Sequence, residues 1–317
     1  MTPRPRIHAA RSRCGRLLLL ASLPGVLACS SDTLVLGAEM PEPHRFAAPT
    51  VVDELSVEAK SDNPSLTADL LEVYFTASNV PGPGGDIWLA TRAVASEPFS
   101  APVPLEEPIT PAIDSSLETS PIVSADGLTL WFASDRPGGV GDLDIWISTR
   151  PARAAPWTAP TNLRVLNSAD KEIPRPPGLR QRVMPLASDR GQPGLYQIHF
   201  AERAAITTPF QAPDPVEELA FAEQSTVDGF LTDDGLTLFY ALGPEIGPAD
   251  LFVASRRGTT DPFELSVPLS DLNTASDERD PWLSQDGRLF FFASDRSGRY
   301  EIYMAEARRD PVTIATP

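Results

Sequence analysis

The sequence predicts an all-β fold, a five-bladed β-propeller with four-stranded antiparallel blades. Three observations carry this expectation. One order of parts recurs five times at a spacing near fifty residues, three copies hold an Asp-Gly turn between apolar runs, and some of those runs are apolar without alternation. A period of this size marks stacked or radial repeats. Continuous apolarity marks strands covered on both faces, as in a blade packed between two others.

Each repeat opens on an aromatic followed by a proline: Phe46-Ala-Ala-Pro49, Phe99-Ser-Ala-Pro102, Trp157-Thr-Ala-Pro160, Phe210-Gln-Ala-Pro213, and Phe263 with Pro268 further on. The aromatics lie 53, 58, 53 and 53 residues apart. This places repeats at about 46–98, 99–156, 157–209, 210–262 and 263–317. The second part is an acidic residue, a proline, a turn and an apolar strand, as in Glu118-Thr-Ser-Pro121 to Asp126-Gly127 to Leu128–Ala133, and again from Glu278 through Asp286-Gly287 to Leu289–Ala293. Asp234-Gly235 repeats the turn, and Asp69-Leu70 is its weaker counterpart. Asp-Gly between apolar runs signals a hairpin, and a type I′ turn is expected because its central residues need positive φ. The third part is Asp86-Ile87-Trp88, Asp144-Ile145-Trp146, Asp250-Leu251-Phe252 and Glu301-Ile302-Tyr303, with Gln197-Ile198-His199 a degenerate copy. The lone Phe46-type strand at the front is expected to complete the last blade, which closes the ring and removes exposed edges.

Residues 1–28 read as an export signal. Arg4, Arg6, Arg11, Arg13 and Arg16 precede an apolar run, Leu17 to Leu27, too short to span a bilayer. The run ends Val26-Leu27-Ala28-Cys29-Ser30, which resembles the bacterial lipobox, so Cys29 is the expected lipidation site. Residues 29–45 are then a polar tether and residues 46–317 the propeller. A full set of acyl chains would hold the protein at a membrane surface. Cys14 leaves with the signal, so no internal disulfide is expected. The chain carries a net charge of −17, or about −22 without residues 1–28. That excludes charge-driven binding to nucleic acid or anionic lipid. A monomer is expected.

The string Pro121…Ser124-Ala-Asp-Gly…Leu130-Trp-Phe-Ala-Ser-Asp-Arg-Pro-Gly-Gly…Asp144-Ile-Trp resembles the TolB-type, WD-like propeller repeat of bacterial envelope proteins. Repeats one, two and five match it well, four loosely and three poorly, over roughly residues 46–310. The resemblance implies a non-catalytic binding platform for other proteins; taken with the lipobox, the expectation is a cell-envelope lipoprotein, on the periplasmic or surface side of the outer membrane, that binds a protein or a glycan. TolB's sixth blade and extra domain are not matched, so its partners are not carried over. A count of five also resembles arabinanase- and invertase-type glycosidases, which carry acidic residues on innermost strands.

Two sets of candidate residues follow. Asp62, Glu118, Glu172, Glu278 and Asp280 stand at the start of the predicted innermost strands. The alternative reading, a polysaccharide hydrolase, would need two of these facing each other at about 5–5.5 Å or about 6.5–9.5 Å. Their repetition from blade to blade points instead to a blade-building role. The Ser-Asp-Arg turns (134–136, 188–190, 294–296) are read as local turn chemistry with the arginine bridging to a neighbouring blade. Trp88, Trp146 and Tyr303 are read as core wedges. Arg175, Arg180, Arg182 and Arg190 form a basic departure in the degenerate third repeat and are the candidate partner surface. No cofactor, metal-ligand spacing, catalytic triad or phosphate loop is read in the sequence, where the mature part keeps only His44 and His199.

Overall fold

The computed structural model describes residues 45–79, 85–111, 116–244 and 247–308. The export signal, Cys29, His44 and all of the tether but Arg45 lie outside the described residues. Five antiparallel sheets of four strands form among them. From inside to outside, blade 1 is Lys60–Leu66, Glu72–Ser78, Asp86–Thr91 and Val103–Pro104. Blade 2 is Glu118–Val123, Thr129–Ser134, Asp144–Thr149 and Thr161–Asn162. Blade 3 is Glu172–Pro174, Val183–Ser188, Gln197–Glu202 and Asp214–Pro215. Blade 4 is Ser225–Leu231, Thr237–Gly243, Asp250–Ser255 and Glu264–Pro268. Blade 5 is Glu278–Leu283, Leu289–Ser294 and Glu301–Glu306, completed by the N-terminal strand Thr50–Val51. That strand pairs Thr50 with Met304 and Val51 with Tyr303, so the first strand among the described residues closes the last blade.

The outer strand of each blade lies just after the aromatic that opens the next sequence repeat. The repeats therefore straddle the blades by one strand. The opening aromatics have a specific job. In blades 1 to 4 the arginine directly after the third strand stacks on the aromatic that follows it: Arg92 on Phe99, Arg150 on Trp157, Arg203 on Phe210 and Arg256 on Phe263, at 4.2 to 4.6 Å from the ring centroid. The same arginine donates from Nε to the inner hairpin turn of its blade, at Leu70, Gly127, Gln181 and Gly235 carbonyls respectively, at 2.7 to 2.8 Å. One planar guanidinium thus joins turn and outer strand, even in degenerate blade 3.

Apolar second strands form the walls between blades. Val73, Tyr74, Phe75 and Ala77 are fully buried, as are Phe290, Phe292 and Ala293. Phe290 packs on Phe239 of blade 4 and on Phe46, with ring centroids 5.2 and 4.7 Å apart. Of the three expected wedges, Trp146 and Tyr303 are buried and Trp88 is half-buried against the core.

The Asp-Gly turns differ from the expected type I′. Gly127, Gly235 and Gly287 have φ of 77°, 72° and 69°, while the preceding aspartates do not have positive φ. The N–H of Gly127 bonds back to Ser124 O at 2.8 Å, and Gly235 and Gly287 do the same to Thr232 and Ser284. The glycine therefore follows a type I turn and occupies the left-handed position after it. The aspartate accepts the N–H two residues on, as Asp126 does from Leu128 at 3.0 Å. In blade 1, Leu70 takes the same left-handed position with φ 61°.

Candidate functional site

The acidic residues at the inner strands separate into two groups with different surroundings. Glu118, Glu172 and Glu278 are the first residues of their strands and are fully buried. Each accepts from the serine opposite it, Ser134, Ser188 and Ser294, at 2.8 to 2.9 Å. Each pairs with the arginine two residues after that serine, Arg136, Arg190 and Arg296, at 3.0 to 3.2 Å. Glu172 and Glu278 also accept from Ser168 and Thr274, through both hydroxyl and N–H. The Ser-Asp-Arg turns are thus the second half of a blade-internal clasp. Their aspartates accept backbone N–H groups, at Leu117, Lys171 and Asp277. Their arginines reach the carbonyls of Ile109, Leu166 and Leu272, which belong to the segments connecting blades and not, as the sequence reading had it, to a neighbouring blade. Burial raises the affinity of Glu118 for its proton against the pull of Ser134, Ser116 and Arg136.

The second group converges on the ring axis. In blades 1, 2, 4 and 5 the inner strand carries a β-bulge. The first bulged residue is Asn63, Ser120, Asp228 or Asp280, and each has φ between 51° and 62°. Short polar side chains tolerate this left-handed geometry best. They meet one another: Ser120 Oγ donates to Asn63 Oδ1 at 2.8 Å, and Asn63 N–H donates to Asp280 Oδ2 at 3.1 Å. Blade 3 has no bulge and supplies Arg175 instead. Its Nη1 donates to Asn63 Oδ1 at 3.1 Å, and its Nη2 to Asp280 Oδ1 at 3.0 Å and to Asp228 Oδ1. All five blades thus contribute to one buried axial cluster. Asp62 lies beside it, bonded to Lys60 Nζ at 3.2 Å and Asn63 Nδ2 at 3.0 Å. Burial raises the pKa of Asp62, with Lys60 opposing and Asp280 reinforcing the shift.

This corrects the four-arginine surface. Arg175 is 5% exposed and serves the axis, and Arg190 is tied to Glu172. Arg180 and Arg182 are exposed, on the loop between the first two strands of blade 3. Asp228, Asn63 and Ser120 were not singled out from sequence. The signal available was a short polar residue directly before the inner-strand Pro or Gly in four repeats.

Beyond the cluster the axis opens into a funnel of about 410 Å³. Leu66, Val123, Pro176, Leu231 and Leu283 line it, one from each blade. They follow the axial residues by one to three positions along each inner strand, or up to about 10 Å. Trp131, Phe230 and Trp282 complete its apolar wall, with the rings of Phe230 and Trp282 edge to face at 6.2 Å. Ser124, Thr232, Asp233, Asp234, Ser284, Gln285 and Asp286 from the hairpin turns, with Gln181, form the mouth. A second recess of about 300 Å³ adjoins it and is lined by Ala68, Asp69, Leu70, Ser284, Gln285 and Asp286.

The shortness of blade 3 makes room for the funnel. Its inner strand is 3 residues long against 6 or 7 in the other blades. Pro174, Pro176 and Pro177 have no N–H to extend the ladder. The chain turns through Leu179, Arg180 and Gln181 at φ of 48°, 56° and 62°, a left-handed turn that needs outside support. Blade 4 gives it: Leu179 and Arg180 N–H groups bond to Thr232 and Asp233 carbonyls at 3.2 and 3.1 Å. Gly178 sits so close to Leu231 that a Cβ there would fall 2.3 Å from its carbonyl oxygen.

No protein-family model and no curated protein matches the chain. Solved structures do. An alpha-L-arabinofuranosidase from Podospora anserina, determined with cellotriose, is 12% identical at a TM-score of 0.55, over 84% of this chain and 96% of that one. An endo-arabinase from Bacteroides thetaiotaomicron is 13% identical at 0.53, over 81% and 98%. TolB from Acinetobacter baumannii is 14% identical at 0.46, over 80% of this chain and only 57% of its own length. At these identities the likeness is one of fold, that of the β-propeller.

Proposed function

We propose that this protein is a non-catalytic binding propeller of the cell envelope, held at the membrane by lipid on Cys29, with the axial funnel as the mouth that receives a protein partner. The observation that carries the reading is how the inner-strand carboxylates are engaged. Three glutamates are clasped inside their own blades, Asp62 is paired with Lys60, and Asp228 and Asp280 share the guanidinium of Arg175, all outside the funnel lining. A glycosidase needs one carboxyl protonated and one ionised, both reaching a substrate. An apolar concavity with a few polar groups at its mouth is instead suited to recognition.

Ala68 and Ala125 are exposed residues of the funnel mouth. Ala68→Trp or Ala125→Trp would fill the mouth without disturbing buried contacts. Partners captured by the wild type should be absent from both variants and retained by Glu278→Gln. Retention on the filled funnels, or hydrolysis of aryl glycosides or polysaccharides by the wild type, would overturn the reading. Palmitate labelling that persists in Cys29→Ser would overturn the anchor.

A further inference from the structure

We propose that the funnel takes a basic side chain, lysine or arginine, carried beside an apolar residue on a segment of the partner protein. The inference rests on the funnel being the binding mouth.

Charge complementarity argues for it. The carboxylates at the mouth are Asp233, Asp234 and Asp286, and no lysine or arginine is among the residues that line the funnel. Arg180 and Arg182, on the adjoining loop, are exposed and outside the lining. Arg175, one residue from the lining at Pro176, is already matched by Asp228 and Asp280. Asp286 is shared with Arg288 at 3.9 Å, so the negative charge of the mouth rests mainly on the exposed Asp233 and Asp234, which would repel an entering anion and draw in a cation. The wall fits the rest of such a side chain. Lysine and arginine bury an aliphatic stem against apolar surface while the charged head stays at a polar rim. Trp131, Phe230 and Trp282 add aromatic surface to the wall that favours a cation over a neutral polar group.

A chain segment fits better than a free amine. The adjoining recess shares Ser284, Gln285 and Asp286 with the funnel and continues the acidic surface to Asp69 of blade 1. A single buried cation would leave that surface unused, whereas flanking residues of a peptide would lie along it. Asp69 is paired with Arg153 at 2.7 Å, so the recess is less negative than the funnel mouth and suits the neutral flank.

The test uses the whole mature protein and three probes: acetyl-Leu-Arg-Leu-amide, the same peptide with neutral citrulline for arginine, and the same with glutamate. Agmatine alone is the fourth. Tryptophan fluorescence reads occupancy, since Trp131 and Trp282 line the wall, and calorimetry gives affinity. The arginine peptide should bind about tenfold more tightly than the citrulline one at low salt, with the gap narrowing as salt rises. Asp233→Asn with Asp234→Asn should remove about threefold to tenfold of that preference. The Asn side chain at 234 keeps the oxygen that accepts the Leu236 N–H, so the turn is retained. Equal binding of arginine and citrulline peptides, or preference for glutamate, overturns the cation and leaves the funnel reading standing. Agmatine binding as tightly as the tripeptide overturns the chain segment. Peptides that bind Ala68→Trp as they bind the wild type, or that bind neither, overturn the funnel reading as well.

Discussion

Arg175 of blade 3 donates from Nη2 to Asp280 Oδ1 of blade 5 at 3.0 Å, across the axis of the ring. The same nitrogen holds Asp228 of blade 4, and Nη1 holds Asn63 of blade 1. The blade least like the others in sequence therefore supplies the group on which the other inner strands converge. Removing that cation leaves two buried carboxylates without their partner. Arg175→Met should cost about 3–5 kcal/mol, read as a lowered urea midpoint. Adding Asp228→Asn and Asp280→Asn should recover most of it, since the unpaired charges are then gone. A triple variant no more stable than Arg175→Met would show that the arginine acts through packing alone.

The glutamate clasps are local. Glu278→Ala removes the carboxylate that Arg296 and the Ser294 hydroxyl share, leaving the guanidinium only Leu272 O and Ser294 Oγ, and should cost about 2–4 kcal/mol. The protein that remains folded should bind partners with unchanged affinity. A selective loss of binding at full folded fraction would return Glu278 to the list of functional residues.

Asp62 gives a pH dependence with a defined sign. Burial raises its folded pKa above the unfolded 3.8. The folded state then binds the proton more readily than the unfolded chain. The stability this contributes is fully present below pH 3.8 and is lost as pH rises through the folded pKa. Asp62→Asn removes that loss while its amide oxygen can still accept from Asn63. The stability of the variant relative to wild type should be higher at pH 7 than at pH 4, by denaturant midpoints at both. A relative stability that falls between pH 4 and pH 7 would contradict the assignment.

Ring closure makes the N-terminal strand as important as the core. Phe46 is 1% exposed, packs on Phe290, and its N–H donates to Asp271 Oδ2 at 3.1 Å. Phe46→Ala should cost about 3–5 kcal/mol, although it precedes every strand of the fold. A loss under about 1 kcal/mol would mean that the last blade holds without its fourth strand.

Much of this was legible because a propeller writes its plan once per blade. The aromatic period, the turn glycines and the apolar second strands each announce local geometry. The five-fold count and the closure by the first strand followed from them, and Glu118, Glu172 and Glu278 make the same serine and arginine bonds at the repeated position the sequence marks. The axis was not legible, because what meets there is decided by strand length and bulge position in five separate blades. Arg175 looked like a surface cation among prolines, and only the early end of its strand turns it inward. Asp228 sits before Gly229 where other repeats have proline, so it did not register as the counterpart of Asp280. The funnel follows from the same missing residues of blade 3, and an absence of strand has no motif. The dipeptide does not set the turn type by itself, since Asp-Gly fits both a type I′ turn and a type I turn closed by a left-handed glycine.

Hydrogen exchange of the mature protein, alone and with a partner captured by wild type but not by Ala68→Trp, tests the funnel most directly. Slowed exchange should concentrate in the turns at 124–127, 232–235 and 284–287 and in the loop at 178–182. Protection confined to the opposite end of the ring, at the segments 166–171 and 273–277 that lead into the inner strands, would contradict it.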